Sequence, residues 1–408
     1  MKDMIWTFRF LVLFPSSTLV SSHSADQLPF EINRSTPEGD PSFIAPIFPI
    51  LPFQKYSHNP ILTPNVKNDW ESAYVYNPTA IVLNETVFLL YRAQNTSKTS
   101  SIGLAWSNDG YNFTRLNRAV FSATEAWEMG GGTEDPRIVR VNGTFYLTYT
   151  AYDLKTPRLC IATSEDLLTW TKYPPLFTSH DVQAIGVDHT KSGAIITEPT
   201  ADGFYHMYFG DSVFYHATST DLLNWTTSNT PFATPVYPWE NGLIEPGPAP
   251  VKTRDGRWLL IYNAMTTGEG GYRATQYSVG QMLLDPASAY EPGSPFIAPD
   301  RDPISPILQP MPHPYDLRVS QQRKSRYLSR TSQDVLSYND GLRRIPSYQR
   351  PMARLETPFL EPSTPEEETG QVDLVVFAEG LVQFKGKWLL YYGQADQTVG
   401  VAVANVQP

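Results

Sequence analysis

Five acidic or polar residues stand where five short strands open: Asn77, Asp135, Lys191, Glu245 and Glu379. Five more stand where the following strands end: Arg92, Asp153, Asp211, Asn263 and Asp396. Scattered over a surface, such residues mean little. At matched positions of a repeat they converge on one axis. Carboxylates, amides and guanidinium groups brought together in this way suit the cleavage of a glycosidic bond. That reaction needs two carboxyl groups flanking the scissile bond, one of which protonates the leaving oxygen. It also needs polar groups for sugar hydroxyls and aromatic rings for sugar faces.

The elements that must position these residues recur along the chain. Residues 87–91, 145–149, 204–208, 258–262 and 388–392 are aromatic-rich strands, each ending at a tyrosine. A third strand follows each of them, at 102–107, 159–164, 214–219, 276–284 and 399–406. Alternating apolar residues bounded by Asp, Asn, Gly and Ser read as strands and hairpins. A fourth element is a Pro-flanked apolar pair, as in Thr230-Pro231-Phe232 and Thr357-Pro358-Phe359-Leu360, and proline suits an edge strand. The same pattern at 59–62 supplies the outer strand that the last repeat lacks. A fixed-period repeat of strand groups predicts an all-β chain. The expected fold is a five-bladed β-propeller of four-stranded antiparallel blades, closed by an N-terminal strand.

Residues 53–408 are therefore expected to form one propeller domain. The repeat is interrupted at about 287–352 by a Pro-, Arg- and Ser-rich stretch with little apolar periodicity, which reads as a disordered insertion or as an artefact of the gene model. Residues 1–25 read as a signal peptide: Lys2 and Arg9 precede the apolar run 10–13, and small residues follow. Residues 26–52 are linker-like. Six Asn-X-Ser/Thr sequons, at Asn33, Asn84, Asn95, Asn112, Asn142 and Asn224, accompany that leader and point to a secreted, N-glycosylated protein. The formal net charge of -10 argues against a nucleic-acid partner. No segment has the length of a membrane span. The single cysteine, Cys160, lies in an apolar strand and reads as a buried, inert thiol. The histidines show no metal-binding spacing, and no metal or cofactor is expected.

Gly132-Thr133-Glu134-Asp135-Pro136-Arg137-Ile138, with Tyr76-Asn77-Pro78, Tyr91-Arg92, Phe377-Ala378-Glu379-Gly380 and Tyr391-Tyr392-Gly393-Gln394-Ala395-Asp396, resembles glycoside hydrolase family 130. The likeness runs from about 58 to 406, apart from the insertion. It implies a five-bladed propeller acting on β-mannosides, either as a phosphorylase or as an inverting hydrolase. It also implies that Asn77, Arg92, Asp135 and Asp396 hold the terminal mannose, with Asp135 the proton donor in phosphorylases. Arg137 and Glu379 join the substrate-binding set. Phosphorylases carry a basic pair where this chain has Phe209-Gly210-Asp211, and an acid there repels phosphate. The hydrolase branch is known for β-1,2-mannosides, and its two glutamates carry over onto Glu198 and Glu245, one as general acid and the other as base. The expected partner is a β-mannoside glycan, and the expected assembly is a monomer or weak dimer. The alternatives are a β-mannoside phosphorylase, a propeller glycosidase acting on arabinans or xylans, and a sugar-binding propeller without catalysis.

Bland readings stand beside these. Asp135 before Pro136 suits a turn cap, as does Asp211. Arg137 serves equally as an ion partner for Asp135, and Glu379 as a buried structural acid. Lys191 and His189 read as ordinary surface residues.

Overall fold

The computed structural model describes residues 24–228, 230–286 and 350–407. The described chain is all-β with a few short helical turns, and its strands form five successive antiparallel units. Unit 1 is β3 (Tyr74–Leu83), β4 (Thr86–Gln94), β5 (Ser100–Ser107) and β6 (Thr114–Leu116). Unit 2 is β7 (Gly132–Val141), β8 (Thr144–Tyr152), β9 (Pro157–Ser164) and β10 (Thr171–Lys172). Unit 3 is shorter: β11 (Ala194–Ile195), β12 (Tyr205–Phe209), β13 (Tyr215–Ser219) and β14 (Thr226–Thr227). Unit 4 holds β15 (Leu243–Pro246), β16 (Val251–Lys252), β17 (Trp258–Met265), β18 (Tyr277–Leu284) and β19 (Ala353–Arg354). Unit 5 is β20 (Val376–Phe384), β21 (Lys387–Gln394) and β22 (Thr398–Asn405), with β2 (Gln54–Lys55) on its outer edge. A parallel bridge from Ser100 to Gly132 joins units 1 and 2 into one sheet, to which β1 (Ser24–Ala25) adds by parallel pairing with β6.

The second strands read as apolar runs because both of their faces are covered. Every residue of β4 is buried, and so is every residue of β17. Hydrophobic clusters lie between neighbours: units 1 and 2 meet around Leu90 and Leu147, units 2 and 3 around Ile161 and Phe209, and units 3 and 4 around Tyr208 and Leu260. Units 4 and 5 share Ile261 and Leu390, and units 5 and 1 share Leu89 and Leu389. The packing order is thus cyclic.

Pairing at the N-terminal edge lies partly upstream of the expected 59–62. Regular antiparallel pairing is made by Gln54 with Val403 and Lys55 with Ala402, and Leu62 makes a single bridge to Val399. The other Pro-flanked pairs behave likewise, with Phe214 bridging Ala233 and Val279 bridging Leu360. A proline has no N–H for a ladder, so continuous pairing stops short of it. Residues 26–52, expected to be linker-like, lie against the sheets. Ile32 and Ile50 are buried, and the Gln281 side chain bonds the backbone of Ile50 through both its amide atoms at 2.9 Å. The expected leader up to residue 23 and the stretch 287–349 of the expected insertion lie outside the described residues. Among those described, no helix is long and apolar enough to cross a membrane.

Four of the five marker tyrosines are fixed in one way. Tyr91, Tyr149, Tyr262 and Tyr392 donate to Glu71, Glu128, Glu240 and Glu367 at 2.8, 2.7, 2.6 and 2.8 Å. Each glutamate is buried in a helical turn before its unit, and each meets a cation on its unit's outermost strand. Those cations are Arg115 at 3.1 Å, Lys172 at 2.6 Å, Arg354 at 2.6 Å and Lys55 at 2.5 Å. Each lock therefore ties the start, middle and edge of a unit together. In unit 3 the corresponding Tyr208 lies tilted against His216, which meets His206 at 2.8 Å.

Candidate functional site

The inner strands of units 1, 2 and 5 all slip register at the same place: between Tyr76 and Pro78, Glu134 and Arg137, and Ala378 and Gly380. A bulge of this kind turns a side chain that would otherwise lie in the sheet, and bulges gather near active sites. Asn77 and Asp135 sit in these bulges with φ of 45° and 49°, and Asp396 has φ of 52°. Asn and Asp tolerate this left-handed backbone better than most residues. Asn77 also presses close to unit 5. A Cβ on Gly393 would lie 2.4 Å from its Oδ1, so glycine is required there.

The result is a cleft lined by the polar side chains of Asn77, Arg92, Asp135, Lys191, Glu245 and Asp396 and by Val372, Val375, Phe377 and Tyr277. Such a mixed lining suits a sugar, which has apolar faces and polar hydroxyls. Arg92 donates to Asp135 at 2.9 Å, to Glu134 at 2.5 Å and to Ser100 at 3.0 Å, and its guanidinium lies 4.8 Å from the Tyr76 ring centre. Asn77 donates to the same Asp135 oxygen at 2.9 Å. Lys191 Nζ lies 3.5 Å from Glu245 Oε1, which also accepts from Ser192. Three buried atoms on residues of the lining have no hydrogen-bond partner: Asn77 Oδ1, Glu245 Oε2 and Tyr277 Oη. Buried polar atoms are rarely left so, and those that line a cleft mark where a ligand's polar groups belong.

Arg137 and Glu379 lie beneath the lining as a 3.0 Å ion pair. Arg137 also donates to the carbonyls of Pro246 at 2.7 Å and Gly247 at 2.9 Å, and stands 4.0 Å from Glu245. It knits units 2, 4 and 5 together, so its place is that of a scaffold under the cleft.

Environment sets the carboxyl groups apart. For Asp135 burial favours the neutral form, but Arg92, Lys191, the Asn77 hydrogen bond and Arg137 outweigh it and hold the carboxyl well below the usual range. For Glu245 burial wins over Lys191 and Arg137, and its pKa is raised. Burial pushes Asp396 up to about 7 despite Arg92. Burial raises Glu379 far above the usual range, against the pull of Arg137. One cleft thus holds a carboxylate kept ionised by its cations beside two acids whose protons burial holds more tightly than usual.

Glu198 is not brought to this cleft. It is exposed on the hairpin side of unit 3, where it pairs with Lys252. Its neighbour Thr197 lines a second cleft with Val82, Val139, Val251 and Gln383, at the opposite ends of the inner strands. Seven residues separate it from Lys191, which spans on the order of 20 Å of extended chain. The Glu198–Glu245 pairing expected from sequence therefore fails. The acid that unit 3 does bring near is Asp211, whose charge acts on Glu245, Lys191 and Tyr277. Lys191, expected at the surface, is buried in the cleft wall. Tyr277 had no distinguishing signal in the sequence, because it opens a strand like any other aromatic.

The family model of glycoside hydrolase family 130, described as β-1,4-mannooligosaccharide phosphorylase, matches residues 53–302 and 329–407. The chain belongs to glycoside hydrolase family 130. Every cleft residue from Asn77 to Asp396 falls within the matched stretches. Among curated GH130-like relatives, a 1,2-β-oligomannan phosphorylase of Thermoanaerobacter sp. is 27% identical over 372 residues, covering 88% of this chain and 99% of the relative. A β-1,2-mannobiose phosphorylase of the same organism is 28% identical, covering 86% of this chain and 96% of its own. A solved structure is described by the statement that the GH130 family of mannoside phosphorylases contains glycoside hydrolases targeting β-1,2 mannosidic linkages in Candida mannan. It is 29% identical with a TM-score of 0.68, covering 90% of this chain and 98% of its own. The chain is thus similar both to GH130 phosphorylases and to a GH130 structure discussed with hydrolases.

Proposed function

We propose that this protein is a five-bladed β-propeller enzyme that removes mannose from β-mannosides, β-1,2-linked ones in particular, by hydrolysis with inversion. The cyclic order of the five cores supports the ring, with each strand unit as one blade. The observation that carries hydrolysis is the charge of the cleft. Lys191 and Arg92 face Asp135, Glu245, Asp396 and Asp211, and Arg92 is already bonded to Asp135, Glu134 and Ser100. A phosphate dianion would find both cations of the lining already engaged, Arg92 by Asp135 and Glu134 and Lys191 by Glu245.

In this reading the ionised Asp135, with Asn77 and Arg92, accepts and donates hydrogen bonds at the hydroxyls of the terminal mannose. Glu245, whose proton burial holds more tightly than usual, gives it to the departing oxygen. Asp211 is the second carboxylate and draws a proton from the water that attacks the anomeric carbon on the opposite face, so a β-linked substrate yields α-mannose. A second reading, phosphorolysis, is favoured by the cation Lys191 in the cleft and by the activities named for the curated relatives. The test is incubation with β-1,2- and β-1,4-mannobiose, with and without phosphate, while proton NMR follows the anomer released. α-Mannose formed at equal rates in both buffers supports hydrolysis. Mannose 1-phosphate formed only with phosphate overturns it.

The same proposal includes secretion with N-glycosylation, supported by the exposure of Asn33, Asn84, Asn112, Asn142 and Asn224. Protein made in a eukaryotic secretory host should lose mass on enzymatic removal of N-glycans. An unchanged mass counts against it.

A further inference from the structure

His189 precedes β11 and lies outside the cleft lining, with both ring nitrogens engaged. Nδ1 lies 2.6 Å from Asp188 Oδ1, and Nε2 lies 2.9 Å from Asp211 Oδ2. A neutral imidazole has only one N–H, so two carboxylate acceptors call for the doubly protonated ring. Asp188 is mostly exposed, while Asp211 is nearly buried. The imidazolium therefore presses on Asp211 from the solvent side, with its outer face neutralised by Asp188. The backbone reinforces the arrangement: Gly210 N–H donates to the Lys191 carbonyl at 2.9 Å, tying the two segments together. Gly210 has φ of 122°, and a Cβ there would meet the Val213 carbonyl at 2.2 Å. The turn that presents Asp211 is thus fixed by its glycine, and the side chain by His189.

We infer that His189 is a positioning residue that clamps Asp211 as the second carboxylate of the cleft. This rests on the hydrolytic reading above. Asp211 acts on Lys191, on Glu245 from β15 and on Tyr277 from β18, so loss of the imidazolium would take a cation from beside an acid that neighbours another. Loss of a cation paired at 2.9 Å favours protonation of the carboxylate, and a protonated Asp211 cannot take a proton from water. The Asp211 charge, against the cost of burial, pushes His189 up to about 10 with help from Asp188. A raised histidine is stabilising in its charged form below its unfolded value and loses that contribution as pH rises through about 10. The clamp is therefore closed throughout the neutral range.

The experiment is steady-state hydrolysis of β-1,2-mannobiose in phosphate-free buffer across pH, using H189A, H189K and D211N. For folded H189A, kcat should fall about tenfold with KM little changed, and the acid limb of the kcat profile should move up by about one pH unit. H189K, which restores a cation, should move the limb back. Wild-type kcat and limb in H189A overturn the clamp. If H189A does not fold, H189Q takes its place with the same two outcomes, since it keeps a donor but no charge. Wild type and D211N separate the levels: a wild type inactive without phosphate removes the hydrolytic reading, full activity in D211N removes Asp211 as the base, and a dead D211N beside a wild-type H189A profile removes only the clamp.

Discussion

Glu245 and Asp396 differ from Asp135 by environment rather than by type, and that difference is open to measurement. Replacing Glu245 by Gln keeps the shape but removes the transferable proton. Turnover should fall by about 10²–10⁴-fold while mannoside binding, followed by calorimetry, persists. Lost binding with a lost fold would point to a structural acid, and intact turnover would exclude the role. For Asp396 the sign runs opposite to that of a salt-bridged acid. Its folded pKa is raised to about 7 from 3.8, so the folded state holds the proton more tightly and loses stability as pH rises from about 4 to 7. D396N, which has no charge to bury, should therefore gain thermal stability over wild type more at pH 8 than at pH 5. An equal difference at both pH values would show that the charge is not the cause. Asn77, Arg92, Asp135, Glu245 and Asp396 were legible in the sequence because they stand at matched ends of repeated strands. Glu198 misled because it lies in the right unit beside the right kind of proline, and sequence position does not say at which end of a short strand a residue falls. Asp211 and Lys191 were visible but unresolved, since their meaning depends on what faces them.

The strand units owe their rigidity to the four tyrosine–glutamate–cation locks. Y149F removes one donor and leaves a buried Glu128 oxygen with less to bond, at a cost of about 1–3 kcal/mol. E128A strands Lys172 as well and should cost about 3–5 kcal/mol. Chemical denaturation of both variants measures this, and equal small losses would deny the lock its importance. Unit 3 has no such lock among the described residues, and two of its strands have only two residues. Its amides should exchange with deuterium before those of the other four units. Uniform exchange would contradict this. The tyrosines were read from sequence as markers of the repeat, but their partners were missed. A signal existed, because the glutamates precede their tyrosines by 20, 21, 22 and 25 residues. It was hidden by irregular segments in which no apolar period draws attention to an acid.

The five-fold repeat was the most legible feature at the scale of the molecule, since apolar strands of similar length recur at similar spacing. The stretch that breaks the spacing can be judged by what flanks it. Met282 pairs with Arg354 and Leu283 with Ala353, so β18 and β19 are adjacent although about seventy residues part them. Replacing 287–349 by a short Gly/Ser linker should leave both the melting temperature and mannoside turnover near wild type. Collapse of the fold on excision would make the stretch integral. The outer edge of unit 5 is different, because it is completed by β2 from the other end of the chain. During synthesis Gln54 and Lys55 emerge first and their partner β22 last, about 350 residues later, which at about 5–20 residues per second is a wait of roughly 20–70 seconds. Until then the last unit's edge is unpaired and the Leu89–Leu389 core is half assembled. The join between β2 and β22 thus acts as a clasp that shuts only once β22 has been made, and a product terminated before it is left with an open edge.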